Sequence, residues 1–413
     1  MASKSSVQVL QCDLSSISFP STLEFSGLPE VSSTRTLDAL KIAAQRLVQF
    51  EDVVAFPTET VYGLGANALS STAVSRIFSA KGRPQDNPLI VHVSSFPMLR
   101  RLLPSSYALS PIYEALIKAL WPGPLTLLFP ADSNIIPSAV TAGHPSVAVR
   151  MPSHPVARAL IAFSGVPLAA PSANVSGKPS ATRAEHVLDD LGRAGRLRLI
   201  LDGGPCPVGV ESTVVDGLGD DGNLRVLRPG GVTVEDLEQV ARSLDLPEEK
   251  RPKVLVYRRD YEDKKLENAP TTPGMKYRHY SPSIPVVLLM TTSKSTNSHP
   301  SLTYYDAIAS IIKAHPKEHS AGPLKIGLLA TSDSPFLNHP PRPSEQFMID
   351  HFPLGSRTDP ATSAARLFDG LLTVEKNGAD VILVEEIPED REGLAFMNRA
   401  RKAAATLIYV HDE

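Results

Sequence analysis

The chain has 413 residues, 42% hydrophobic and 21% charged, which at about 150 residues per domain supplies two or three domains with real cores and excludes disorder throughout. Lys and Arg number 41 against 44 Asp and Glu, a net charge of -3, which argues against a protein that coats nucleic acid, since that needs a strongly basic face. Two cysteines, Cys12 and Cys206, with no Cys/His cluster exclude a disulfide framework or zinc finger, and no apolar run reaches the roughly 18 residues of a membrane span.

Residues 1–35 are Ser-rich and weakly periodic, and read as an arm or an added edge segment. With one lysine and no arginine in the first 25 positions, they resemble neither a secretory nor a transit peptide, and a cytoplasmic location is expected. From Thr36 the pattern turns αβ: Leu37, Leu40, Ala44 and Leu47 share a helical face, followed by an apolar strand at Val53–Phe56. Further strands are expected at Leu89–Val93, Leu125–Phe129, Val147–Arg150, Leu168–Ala170, Leu199–Leu201, Thr213–Val215 and Arg225–Leu227. Helices are expected near 70–80, 108–120, 154–163, 183–191 and 233–244. Because several strands follow one another without a helix, residues 36–245 read as an α/β domain with a mixed rather than a purely parallel sheet. Residues 246–283 are charged, then Pro- and Gly-rich, and read as a linker. Residues 284–413 read as a smaller α/β domain, with buried strands at Val286–Met290, Lys325–Leu329 and Val381–Val384 and helices near 301–314, 360–376 and 392–405. Pro335–Pro343 reads as a surface loop. The 37 prolines, nearly double the usual share of about 5%, indicate many irregular connections.

There is no GxxxxGK[ST] phosphate loop. Gly63-Leu64-Gly65-Ala66-Asn67-Ala68 imitates a dinucleotide glycine loop, but Pro57–Tyr62 separates it from its strand, so a glycine-rich turn without ligand is the better reading. The chemistry concentrates in polar segments at strand ends, where ligands bind in open α/β sheets. These are Pro57–Leu64 (PTETVYGL), Lys81–His92 (KGRPQDNPLIVH), Ser146–Pro152 (SVAVRMP), Ala170–Gly177 (APSANVSG), Glu211–Asp216 (ESTVVD) and Leu227–Gly231 (LRPGG). Each has a bland alternative. Lys81 and Arg83 could be solvated after a helix, His92 a core histidine, and Ser172 and Asn174 a cap or turn. Arg150, on an otherwise apolar strand, needs an anionic partner.

Together the segments closely resemble the YrdC-like threonylcarbamoyl-AMP synthase family, from about Thr36 to Thr233. Pro273–Pro282 (PGMKYRHYSP) and the second domain resemble its longer, two-domain form. The resemblance implies a YrdC-like first domain, α/β with a twisted mixed sheet and helices on its faces, and a smaller Rossmann-like α/β domain at the C-terminal end. It implies synthesis of L-threonylcarbamoyladenylate from L-threonine, bicarbonate and ATP, with pyrophosphate released. The product would pass to a transferase that modifies tRNA, with little direct tRNA binding and no membrane partner. Lys81 and Arg83 are the implied catalytic residues. Thr60, His92, Arg150, Ser172 and Ser212 are the implied threonine ligands. Lys81, Arg83, Asn87, Ser146, Asn174, Thr182, Arg228, His279 and Tyr280 are the implied ATP contacts, with Lys276–Tyr280 as a lid. Magnesium is expected with ATP, and no acidic cluster marks its ligands. Two rivals stand beside this reading: an RNA-binding module using the same groove, and a carbamoyl phosphate-dependent carbamoyl-adenylate enzyme, whose zinc fingers two cysteines cannot build.

Overall fold

A computed structural model describes residues 7–22, 24–263, 267, 271, 279–291, 301–316, 322–338 and 346–411. The chain divides into two compact units. The first comprises Met1–Ser176 with Ser180–Tyr277, and the second Gly177–Pro179 with Arg278–Glu413.

The first unit is built on an eleven-stranded sheet. In chain order its strands are β1 (Gln8–Gln11), β4 (Val54–Phe56), β5 (Gly63–Asn67), β6 (Ile90–His92), β7 (Leu125–Pro130), β8 (Ser146–Arg150), β9 (Leu168–Ala169), β10 (Leu199–Asp202), β11 (Thr213–Asp216), β12 (Leu224–Arg228) and β13 (Val254–Val256). The strands β2 (Ile17–Ser18) and β3 (Glu30–Val31) pair with each other apart from it. The spatial order is β1-β10-β4-β5-β9-β6-β8-β7-β11-β12-β13. Parallel and antiparallel neighbours alternate irregularly: β6 runs parallel to β8, and β8 antiparallel to β7. The sheet is therefore mixed, as consecutive strands without intervening helices require. Helix α1 (Thr34–Val48) begins where the Ser33 side chain accepts the Thr36 N–H, and it buries Ala39, Leu40, Ala43, Ala44 and Leu47 on one face.

Two segments of this unit differ from the sequence reading, and a third follows one of its two alternatives. The glycine run is strand β5, paired antiparallel with β4. A Cβ on Gly65 would meet the Phe56 ring at 2.5 Å, so this glycine serves close strand packing. Within the arm, Gln8–Gln11 extends the sheet as an edge strand on β10, the second of its two readings. Within the stretch read as linker, Val254–Val256 pairs in parallel with Leu224–Val226 and forms the opposite edge.

The second unit holds an all-parallel sheet of β14 (Val286–Thr291), β15 (Leu324–Ala330), β16 (Phe347–Pro353), β17 (Val381–Glu385) and β18 (Thr406–Val410). Their order is β16-β15-β17-β14-β18, and the unit is Rossmann-like in its parallel α/β build. Helices Tyr304–Ala314, Pro360–Lys376 and Glu392–Ala403 accompany the strands. Val287, Leu289, Ile326, Leu328, Val381 and Leu383 pack with Ile308, Ile311 and Phe336 in one core. The inner strands are the apolar runs visible in the sequence, because a parallel sheet is buried on both faces. The edge strands β16 and β18 are half-exposed, and β16 is interrupted by Asp350 and His351; neither is among the strands read from the sequence. Pro335–Asn338, read as loop, forms a single helical turn, and residues 339–343 lie outside the described residues.

Candidate functional site

The loop between β4 and β5 folds on its own threonines. The Thr58 hydroxyl donates to the Val61 carbonyl at 2.6 Å, and its oxygen accepts the N–H groups of Thr60 and Val61 at 3.1 and 3.2 Å. That turn aims Glu59 and Thr60 inward, where both are buried. Arg150 ends β8 and meets them, donating one Nη to Thr60 Oγ1 at 2.9 Å and the other to Glu59 Oε2 at 3.1 Å. Burial lowers the pKa of its guanidinium, and the charge of Glu59 opposes that shift. Glu59 is the anionic partner that an inward-facing arginine needs.

Strand register gathers further groups around Arg150. His92 lies beside it on β6, and Thr126 beside it on β7. Thr126 and Ser212 share a hydroxyl hydrogen bond of 2.8 Å. Arg228, buried at the end of β12, donates to the Ser212 carbonyl at 2.9 Å. Burial, and then the charge of Arg150, pull the His92 pKa down to about 3, against the carbonyls of Ile90 and Leu168. A histidine with so weak a conjugate base is a poor proton acceptor at neutral pH, which favours ligand orientation over general-base work.

Lys81 closes helix α2 (Ser71–Lys81), which Gly82 caps in the left-handed conformation. The Lys81 side chain is 1% exposed. Its ammonium donates to the carbonyls of Ser172 at 2.5 Å and Asn174 at 2.6 Å, which ties the PSANVSG segment to the helix end. Burial, and then Arg83, hold its pKa well below the usual lysine value, while Asp190 and Glu211 oppose the shift. Arg83 donates to the carbonyls of Asn87 and Pro88 at 3.3 and 3.0 Å. Asn87 is buried with its Oδ1 lacking a hydrogen-bond partner.

The remaining candidates are placed as follows. Ser146 begins β8, so at about 3.3 Å per residue it lies roughly 13 Å from Arg150 along the strand. The Asn174 side chain donates to the Val175 carbonyl. The Thr182 N–H meets His186 Nδ1 at 3.3 Å, and its carbonyl accepts the Cys206 N–H. His279 and Tyr280 belong to the second unit, where Tyr280 is buried with its ring 5.1 Å from that of Phe368. Lys276, Tyr277 and Arg278, the rest of the expected lid, lie outside the described residues. The sequence reading assigned no role to Glu59 or Thr126. The signal for Glu59 was present, since Arg150 called for an anion and PTETVYGL holds one carboxylate. Among the described residues, no group of three or more His, Cys, Asp or Glu is placed to hold a metal ion, and no helix is long and apolar enough to cross a membrane.

Comparison with known proteins matches the family described as "Telomere recombination" over residues 46–230, and "Threonylcarbamoyl-AMP synthase, C-terminal domain" over residues 232–405. The chain is 42% identical to the threonylcarbamoyl-AMP synthase of Schizosaccharomyces pombe over 400 residues, covering 92% of this chain and 91% of that one. It is 40% identical to the threonylcarbamoyl-AMP synthase of Bacillus subtilis, covering 87% and 92%. The structure of Pyrococcus abyssi Sua5 complexed with L-threonine superposes with a TM-score of 0.74 at 35% identity, covering 98% of this chain and all of that one.

Proposed function

The chain belongs to the threonylcarbamoyl-AMP synthase family, and from the arrangement of its buried site we propose how it makes L-threonylcarbamoyladenylate: from L-threonine, bicarbonate and ATP, with release of pyrophosphate. The observation that carries this reading is Arg150, buried at the end of β8 and hydrogen-bonded to Thr60, with His92 beside it in register. A guanidinium so placed suits the carboxylate of a small amino acid. Thr60, His92, Ser172 and Ser212 complete the proposed threonine pocket. Lys81, Arg83, Asn87, Ser146, Asn174, Thr182 and Arg228 form the proposed nucleotide side. The distance from Arg150 to Ser146 suits two substrates laid along one strand. His279 and Tyr280 are further proposed nucleotide contacts.

In the proposed reaction, the threonine amine and bicarbonate condense to an N-carboxylate with loss of water. Its oxygen attacks the α-phosphorus of ATP as the bond to the α–β bridging oxygen breaks, and pyrophosphate leaves. Two anions must approach, so the dominant aid is fixed positive charge in a dry site. Lys81 and Arg83 supply it. A polyphosphate arriving at Lys81 provides the counter-charge that burial denies the ammonium. Holding three substrates in line accounts for much of the remaining rate enhancement. Magnesium is proposed to arrive with the nucleotide substrate, since no group of three or more His, Cys, Asp or Glu among the described residues is placed to hold it. The reading places the enzyme in the cytoplasm, handing its adenylate to a transferase that acts on tRNA.

The test is mass spectrometry of the products formed from ATP, bicarbonate and L-threonine. The expected result is a threonylcarbamoyl adenylate with pyrophosphate in equal amount, both dependent on threonine. ATP breakdown that ignores threonine would overturn the reading.

A further inference from the structure

Two buried polar atoms at the Arg150 cluster have no hydrogen-bond partner: Glu59 Oε1, an acceptor, and Arg150 Nε, a donor. Their side chains are joined by the 3.1 Å ion pair and are 7% and 3% exposed. A buried ion pair with one open position on each member is costly unless something satisfies both. An α-amino acid carries the complementary set on one carbon, an ammonium that donates and a carboxylate that accepts.

We propose that Glu59 binds the α-ammonium group of the amino-acid substrate through Oε1, so that Glu59 and Arg150 together read the zwitterion. This rests on the function proposed above and adds a residue and a selectivity to it. Arg150 alone would accept any small carboxylate. With Glu59 beside it, a hydroxy acid of the same shape offers only a neutral O–H where threonine offers a charged ammonium, and is bound more weakly. The loop turn set by Thr58 holds Glu59 in place, and the 2.8 Å bond from the Val208 N–H to the Glu59 carbonyl fixes its backbone.

The experiment is calorimetry on the full chain with L-threonine and with its amine-free analogue, 2,3-dihydroxybutanoate of matching configuration, for wild type and Glu59→Gln. Wild type is expected to prefer threonine by about tenfold, the margin of a charged over a neutral hydrogen bond to the same carboxylate. Glu59→Gln should erase most of that preference by weakening threonine alone, with ATP affinity unchanged. Equal weakening of both ligands would overturn the proposal, because Glu59 would then act only by holding Arg150. An unchanged threonine affinity would overturn it too. If Glu59→Gln does not fold, wild type still decides: an analogue bound as tightly as threonine refutes ammonium recognition. Failure of wild type to form the adenylate would sink the function itself, whereas a competent wild type without the preference sinks only the role of Glu59.

Discussion

His154 follows β8 by four residues and caps the helix Pro155–Ser164, yet neither of its ring nitrogens has a hydrogen-bond partner. It is 4% exposed, and burial pulls its pKa down to about 4. His92, within β6, is held at about 3. Both folded values lie below the unfolded value of about 6.5, so the folded state keeps these rings neutral while the unfolded chain binds protons. Their contribution to stability is intact above pH 6.5 and is lost as pH falls towards 4 and then 3. Each ring should add up to about 1.4 kcal/mol per pH unit to that slope. Denaturant titrations between pH 6 and pH 4 should show the slope reduced by about this amount in His154→Leu. A slope identical to wild type would mean that His154 is not neutral in the folded chain.

Among the turns and caps, two glycines are required for different reasons, and the difference can be measured. Gly82 adopts φ of +60° with nothing within 4 Å of a hypothetical Cβ, so Gly82→Ala meets only backbone strain of about 1 kcal/mol. Gly230, just past β12, lies so close to the backbone of Glu211, Ser212 and Thr213 that any Cβ would overlap it. Gly230→Ala should cost more, about 1–3 kcal/mol or above. It should also displace Ser212 from Thr126 and weaken threonine binding. Thermal melts with threonine titrations would show the order, and a Gly82 variant that is the worse of the two would refute this account. The LRPGG run could be flagged as polar and strand-terminal from sequence. That its first glycine faces the ESTVVD segment follows only from the antiparallel pairing of β11 with β12.

The first unit's far edge sets where the molecule can be divided. A chain ending at residue 262 keeps β13 and should fold and bind threonine, since the proposed threonine ligands Thr60, His92, Arg150 and Ser212 all precede the cut. A chain ending at residue 245 loses β13 and leaves the Leu224–Val226 edge unpaired, an invitation to edge-to-edge association. Size-exclusion chromatography should find the longer fragment discrete and the shorter one aggregated or less stable. Equal behaviour would show that the strand is dispensable. Much was legible in the sequence because it depends on local pattern. Inner strands buried on both faces are apolar runs, helices repeat one face, and the polar segments at strand ends are contiguous stretches of chain that also carry the family resemblance. What depended on distant partners was not legible. The glycines of β5 are small because Phe56 lies across them, and edge strands are only half buried. Arg150 announced its need for an anion through burial cost alone, but pairing with a carboxylate 91 positions away exists only once β8 and the β4–β5 loop come together. Local periodicity determined the elements and the candidate list. Tertiary packing, which brings remote side chains within hydrogen-bonding distance, decided which of them form one site.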